Sequence, residues 1–122
     1  MMIAIVDYGS GNLRSAAKAF EKAASEVSIA SRILVTDRAE EILQADYIVL
    51  PGVGSFGDCL AGLNSLHGVR APMQEAVIVK GKPFMGICVG MQLMATKGTE
   101  NGYHLGLDWI KGEVIALSKP EL

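Results

Sequence analysis

The chain has little cysteine and little histidine, and each shortage removes a class of protein. Only two cysteines, Cys59 and Cys88, occur among 122 residues, too few for a disulfide framework. Neither belongs to a C-x-x-C pair, and the two histidines, His67 and His104, stand far apart in the sequence. No zinc spacing results, so no metal and no cofactor is expected, and both thiols are expected to be reduced. Lys/Arg clusters are missing and the formal net charge is −2, which leaves no footprint for nucleic acid or an anionic membrane. No apolar run approaches the roughly 20 residues that span a bilayer. The opening MMIAIVDYG lacks a basic region and meets Asp7 too early for a secretory signal. Repeats, linkers and low-complexity segments are absent as well. These shortages together predict a cytoplasmic protein without membrane or nucleic-acid partners.

What is present is a globular composition: 50% hydrophobic and 20% charged residues, enough for one domain over residues 1–122. MIAIVDYG is a short apolar run ending in glycine, as in a strand buried on both faces. SGNLRSAAKAFEKAASE follows with apolar residues at helical spacing and Asn12 or Ser10 as cap. Arg32–Asp37 and Asp46–Pro51 read as further strands, separated by a helix over DRAEEILQA capped by Asp37. GVGSFG is a glycine-rich loop, DCLAGLNSL a helix, and APMQEAVIVKG another that starts around Pro72 and stops at Gly81. PFMGI is a fourth strand, CVGMQLMATKG a helix ended by Gly98, NGYHLGLDWIKG a loop, and Glu113–Lys119 a last strand. Met85, Met91, Met94 and Trp109 read as core residues, and Cys59 as a packing residue on its helix.

Strands alternating with helices imply an α/β fold, an open, mostly parallel sheet with helices on both faces. The sequence stops at SKPEL, just after an edge-type strand, and an unpaired edge of that kind is usually avoided. It reads as the front of a larger domain, truncated before its last strands. The exposed edge makes self-association a second expectation, and a non-catalytic assembly module an alternative to an enzyme.

Within this frame Cys88 stands out. Gly86-Ile87-Cys88-Val89-Gly90 is the thiol counterpart of the G-x-S-x-G elbow. A nucleophile on a sharp strand-to-helix turn needs unusual backbone angles and small neighbours, and glycine two residues to either side meets both needs. The site would lie at the carboxyl end of a strand, where open α/β sheets bind ligands. The amide of Val89 could donate to an oxyanion. A cysteine here could also be a small apolar core residue; the strand before it and the helix after it favour the nucleophile. LPGVGSFG (Leu50–Gly57) also follows a strand and should reach the same sheet edge. It could supply a second oxyanion donor, or be a plain Pro-Gly turn. Glycines around Val53 make the Gly52–Val53 peptide a candidate to flip between a resting and an oxyanion-binding orientation. DYGSGN is no dinucleotide fingerprint, because Arg14 holds the place of the third glycine. Its Asn12 reads as a helix cap.

Four stretches, IVDYGSGNLRS, VLPGVGSFGDC, KPFMGICVGMQ and GLDWIKGEVIAL, resemble the triad-type (class I) glutamine amidotransferases, whose fold is flavodoxin-like. Within that family the similarity is to the glutaminase subunits of imidazole glycerol phosphate synthase, and it covers the amino-terminal part of the family domain. The resemblance implies Cys88 as nucleophile, Gly52, Val53 and Val89 around an oxyanion hole, Gln92 as a substrate-glutamine contact, and Asn12 with its loop near the partner or the rim of the site. It implies glutamine hydrolysis through a γ-glutamyl thioester. It also implies delivery of ammonia to a cyclase partner, a (β/α)₈ barrel, for histidine biosynthesis. The family's histidine base and its orienting acid belong to an HPE-like motif that these residues do not contain. His67 and His104 are the only histidines here, and both are expected to be solvated or capping. Without that base, the chain by itself is expected to be inactive.

Overall fold

In a computed structural model of the chain, which describes residues 1–117, MIAIV forms β1 (Met2–Val6) at the middle of a parallel sheet. Its residues alternate between the two faces, as a strand must. Ala4 and Val6 join one buried cluster with Ile48, Leu50, Phe56, Leu63 and Met73. Ile3 and Ile5 join another with Val49, packed against Leu13, Ala16, Ala17 and Phe20. Those last four residues form the apolar stripe of α1 (Leu13–Glu26). Its start is fixed by Asn12, whose side chain accepts from the Ser15 amide at 3.3 Å; Asn12 rather than Ser10 is the cap.

The remaining elements of this layer are β2 (Arg32–Thr36), α2 (Ala39–Gln44), β3 (Tyr47–Leu50), α3 (Phe56–Ser65), α4 (Arg70–Gln74) and β4 (Phe84–Gly86). The four strands run parallel in the order β2-β1-β3-β4. The two central strands, β1 and β3, are buried on both faces, as parallel sheets favour. α4 runs on into a π-helical turn over Glu75–Val79, and the backbone reverses at Gly81 with φ +68°. Expected as one helix, this segment therefore changes its winding midway. No helix among the described residues is long and apolar enough to cross a membrane.

Several boundaries depart from the sequence-based expectation. Asp37 does not cap α2; the cap residue is Arg38, with no side-chain hydrogen bond of its own. Thr36 does the work instead: its hydroxyl accepts from the Arg38 amide at 3.0 Å and donates to Glu41 at 2.5 Å. The larger departure follows Cys88. The helix expected through Gly98 is a single turn, α5 (Val89–Gln92), and Ala95–Gly98 is a strand, β5. The stretch expected as loop contains β6 (His104–Leu105), antiparallel to β5, and the start of β7 (Ile110–Val114), parallel to it. This second, three-stranded sheet has the order β6-β5-β7. The last strand thus lies earlier than expected, and Ser118 and Lys119 fall outside the described residues.

Trp109 packs edge-on against Phe84, ring centroids 4.9 Å apart, and joins the core margin as expected. Met85 and Met91 do not: both are 53% exposed. Met85 lies on β4, which among the described residues pairs only with β3. An edge strand with an uncovered face leaves such side chains in solvent.

Candidate functional site

The register of the parallel sheet decides what meets at its carboxyl edge. Leu50 at the end of β3 pairs with Gly86 at the end of β4, so the next residues, Pro51-Gly52 and Ile87-Cys88, leave the sheet side by side. The Ile87 amide donates to Leu50 O at 2.9 Å, which holds the two exits together. Cys88 then turns with φ +57° and ψ −123°. A non-glycine residue in that region is strained, at a typical cost of about 1–3 kcal/mol, and such strain persists only where the surroundings enforce it. They do so here. A Cβ on Gly86 would come within 2.5 Å of Met91 Cα, and one on Gly90 within 1.9 Å of Leu50 O. The two flanking glycines are needed for close approach: the chain folds tightly back on β4 and against the end of β3. Cys88 is left exposed with a free thiol.

Because α5 is only four residues long, little macrodipole stands behind Cys88. Local amides matter more. Met91 and Gln92 donate back to Cys88 O at 3.0 and 3.3 Å. Val89 donates instead to Gly52 O at 3.3 Å. The Val53 amide points the other way and donates to Ser10 Oγ at 3.0 Å. Gly52, Val53, Val89 and Cys88 thus meet, but the Gly52–Val53 peptide turns its carbonyl, not its N–H, toward Val89.

Behind that peptide lies a polar cluster that sequence reasoning did not find. Tyr8 is buried and its phenol donates to Pro51 O. Burial pushes the Tyr8 phenol well above its ordinary pKa, with the neighbouring Cys59 adding to the rise; it stays a neutral donor at physiological pH. Ser10 Oγ also lies 3.0 Å from Val53 O and 3.2 Å from Cys59 Sγ. Cys59, buried on α3 as expected, does more than pack: its thiol donates to Val53 O at 3.2 Å. The available signal was topological. In a parallel sheet with β1 beside β3, the loop after β1 must reach the same edge as the loop after β3.

A cavity of about 300 Å³ opens here, with Cys88, Ile87, Gly52, Val53, Gly11 and Asn12 in its wall. Gln92 is half-buried on α5, one turn beyond Cys88, and does not line it. Neither histidine does. His67 is exposed in the turn after α3, at the end of a helix roughly 15 Å long that runs away from this edge. His104 sits on β6 with Nε2 2.9 Å from Asn101 O and its ring against Phe56 and Gly57. Among the described residues no group of His, Cys, Asp and Glu is placed to hold a metal ion. The arrangement amounts to an exposed thiol on a strained turn, beside a peptide whose N–H could be brought toward it.

The family model described as glutamine amidotransferase class-I matches residues 4–119. Among curated proteins, the chain is 53% identical over 118 residues to an imidazole glycerol phosphate synthase subunit HisH of Agrobacterium fabrum, across 97% of this chain and 55% of the relative. The protein of the same name from Rhizobium meliloti is also 53% identical over those shares of the two chains. The one from Rhodospirillum rubrum is 52% identical, again across 97% of this chain and 55% of its own length. The chain therefore spans about half the length of the curated relatives it matches.

Proposed function

From the chain's membership of the class-I glutamine amidotransferase family, we propose that residues 1–122 form the amino-terminal part of a glutaminase domain in which Cys88 is the nucleophile. The observation that carries this reading is the backbone of Cys88, held at φ +57° on the turn between β4 and α5 and directly beside Gly52–Val53.

In the proposed reaction the Cys88 sulfur attacks the side-chain carboxamide carbon of glutamine. A C–S bond forms and the carbonyl π electrons move to oxygen. The oxyanion is met by the amides of Val89 and Val53, once the Gly52–Val53 peptide has turned its N–H inward. Collapse breaks the C–N bond, and the nitrogen leaves as ammonia after gaining the proton that the Cys88 thiol gave up on attack, carried between them by a base. Water then cleaves the γ-glutamyl thioester to glutamate and regenerates the thiol. Gln92 is proposed to contact the bound glutamine. The relatives' names, synthase subunits for imidazole glycerol phosphate, support a partner that consumes the ammonia. We propose a cyclase subunit with a (β/α)₈ barrel, joined as a heterodimer in the cytoplasm for histidine biosynthesis.

Each proton transfer needs a base within hydrogen-bond reach. No histidine lines the cavity at Cys88, so the 122-residue chain by itself is proposed to turn over glutamine negligibly. Steady-state ammonia release tests both parts. The expected result is background release, the same in Cys88→Ala. Normal turnover abolished by Cys88→Ala would overturn the missing base and force His67 or His104 into the role. Normal turnover that survives Cys88→Ala would overturn the nucleophile itself.

A further inference from the structure

We propose that Ser10 and Cys59 are positioning residues for the oxyanion hole: together they set the orientation of the Gly52–Val53 peptide. This rests on the reading of Cys88 as nucleophile, because only then does that orientation matter to chemistry.

The carbonyls of Pro51, Gly52 and Val53 and the Val53 N–H all have partners. Tyr8 holds Pro51 O, the Val89 amide holds Gly52 O, Ser10 Oγ takes the Val53 N–H, and Val53 O faces both Ser10 Oγ and Cys59 Sγ. In a planar trans peptide, Gly52 O and Val53 N–H point in opposite directions. Turning the plane by half a revolution therefore exchanges two bonds at once. Val53 N–H leaves Ser10 and comes to the Val89 side, while Gly52 O leaves Val89 and comes to the Ser10 side.

A serine hydroxyl suits that exchange because it is one donor and two acceptor sites on a single rotor. In the orientation seen, it accepts from Val53 N–H. In the turned orientation, it can donate to Gly52 O. It is free to do so because Val53 O already has a second donor, the Cys59 thiol at 3.2 Å. Ser10 and Cys59 thus offer partners to this peptide in both orientations, while Tyr8 anchors the chain one residue earlier. Cys59 is almost fully buried, 1% exposed, and both of its sulfur contacts are made within this cluster.

Hydrogen exchange at the Val53 amide, read by NMR on the 122-residue chain, reports the latch without any need for turnover. Ser10→Thr keeps the hydroxyl and Ser10→Val, similar in shape to that Thr variant, removes it. The expected result is parent-like exchange at Val53 in Ser10→Thr and exchange about five- to tenfold faster in Ser10→Val, with amides of β1 and β3 moving equally in both. Cys59→Ala, which leaves Ser10 as the sole donor to Val53 O, is expected to shift the Val53 and Gly54 amide resonances. Equal Val53 exchange in the Thr and Val variants overturns the proposal, as does a Cys59→Ala spectrum unchanged at Val53 and Gly54. The result is separable from the nucleophile assignment: a latch that behaves as described with an unreactive Cys88 would sink the glutaminase reading alone.

Discussion

At the scale of single residues, Cys88 combines two demands that usually conflict. Its backbone sits where glycine is favoured, with φ +57°, yet the proposed chemistry needs a side chain. Replacing it by glycine should release the strain. Cys88→Gly is predicted to stabilise the chain by about 1 kcal/mol, the strain relieved less the extra chain entropy of glycine. The check is the urea midpoint at unchanged slope. A lower midpoint would mean that the turn is not strained and that the thiol itself contributes packing. The elbow was legible in the sequence because its requirements are local: two glycines two residues from one cysteine, after a strand. The cluster of Tyr8, Ser10 and Cys59 was not. Its contacts join residues 43 and 49 positions apart, and their meeting depends on which strands are neighbours, which no local pattern records.

Secondary-structure elements show the same division between local and non-local causes. β1, α1, β3 and α3 followed their apolar periodicity because each buries one stripe or both faces against the central sheet. CVGMQLMATKG broke the rule. Its spacing is helical, but Leu107 and Trp109 donate to the carbonyls of Leu93 and Met94 at 2.8 and 2.9 Å, and β5 pairs with β7 on one side and β6 on the other. Pairing with residues further along the chain outweighs a weak local preference. The turn into β7 is held by Asp108, which accepts from Lys111 Nζ at 2.7 Å and from Thr96 Oγ1 at 2.8 Å. The bond from Lys111, then that from Thr96, holds the Asp108 carboxyl below the usual carboxylate range. A depressed pKa in the folded state gives stability that is present above the unfolded value and lost as pH falls through the folded one. Asn tolerates the positive φ of +58° at this position, so Asp108→Asn isolates the charge. The variant should be slightly less stable than the parent near neutral pH, with the difference closing in acid below about pH 4. Urea midpoints across that range provide the check; a gap that stays constant with pH would remove the charge from the account.

For the molecule as a whole, the alternation of strands and helices was enough to give an α/β protein with a parallel sheet, and the structure has one. The second sheet was not foreseen, since its strands, ATKG, HL and IKGEV, mix polar residues and glycine and carry no apolar run like that of β1. The two loops that emerge from β3 and β4 were legible as a pair because both follow strands that must end at one edge. The resting orientation of the Gly52–Val53 peptide was left open by the sequence: two orientations of one peptide plane use the same residues. The central claim is that Cys88 is a glutamine-directed nucleophile. Its most direct test is site-resolved modification by diazo-oxonorleucine, a glutamine-shaped electrophile, mapped by peptide mass spectrometry. The account predicts modification at Cys88, slowed by added glutamine and absent in Cys88→Ser. Modification of Cys59 alone, or of neither cysteine, would contradict it.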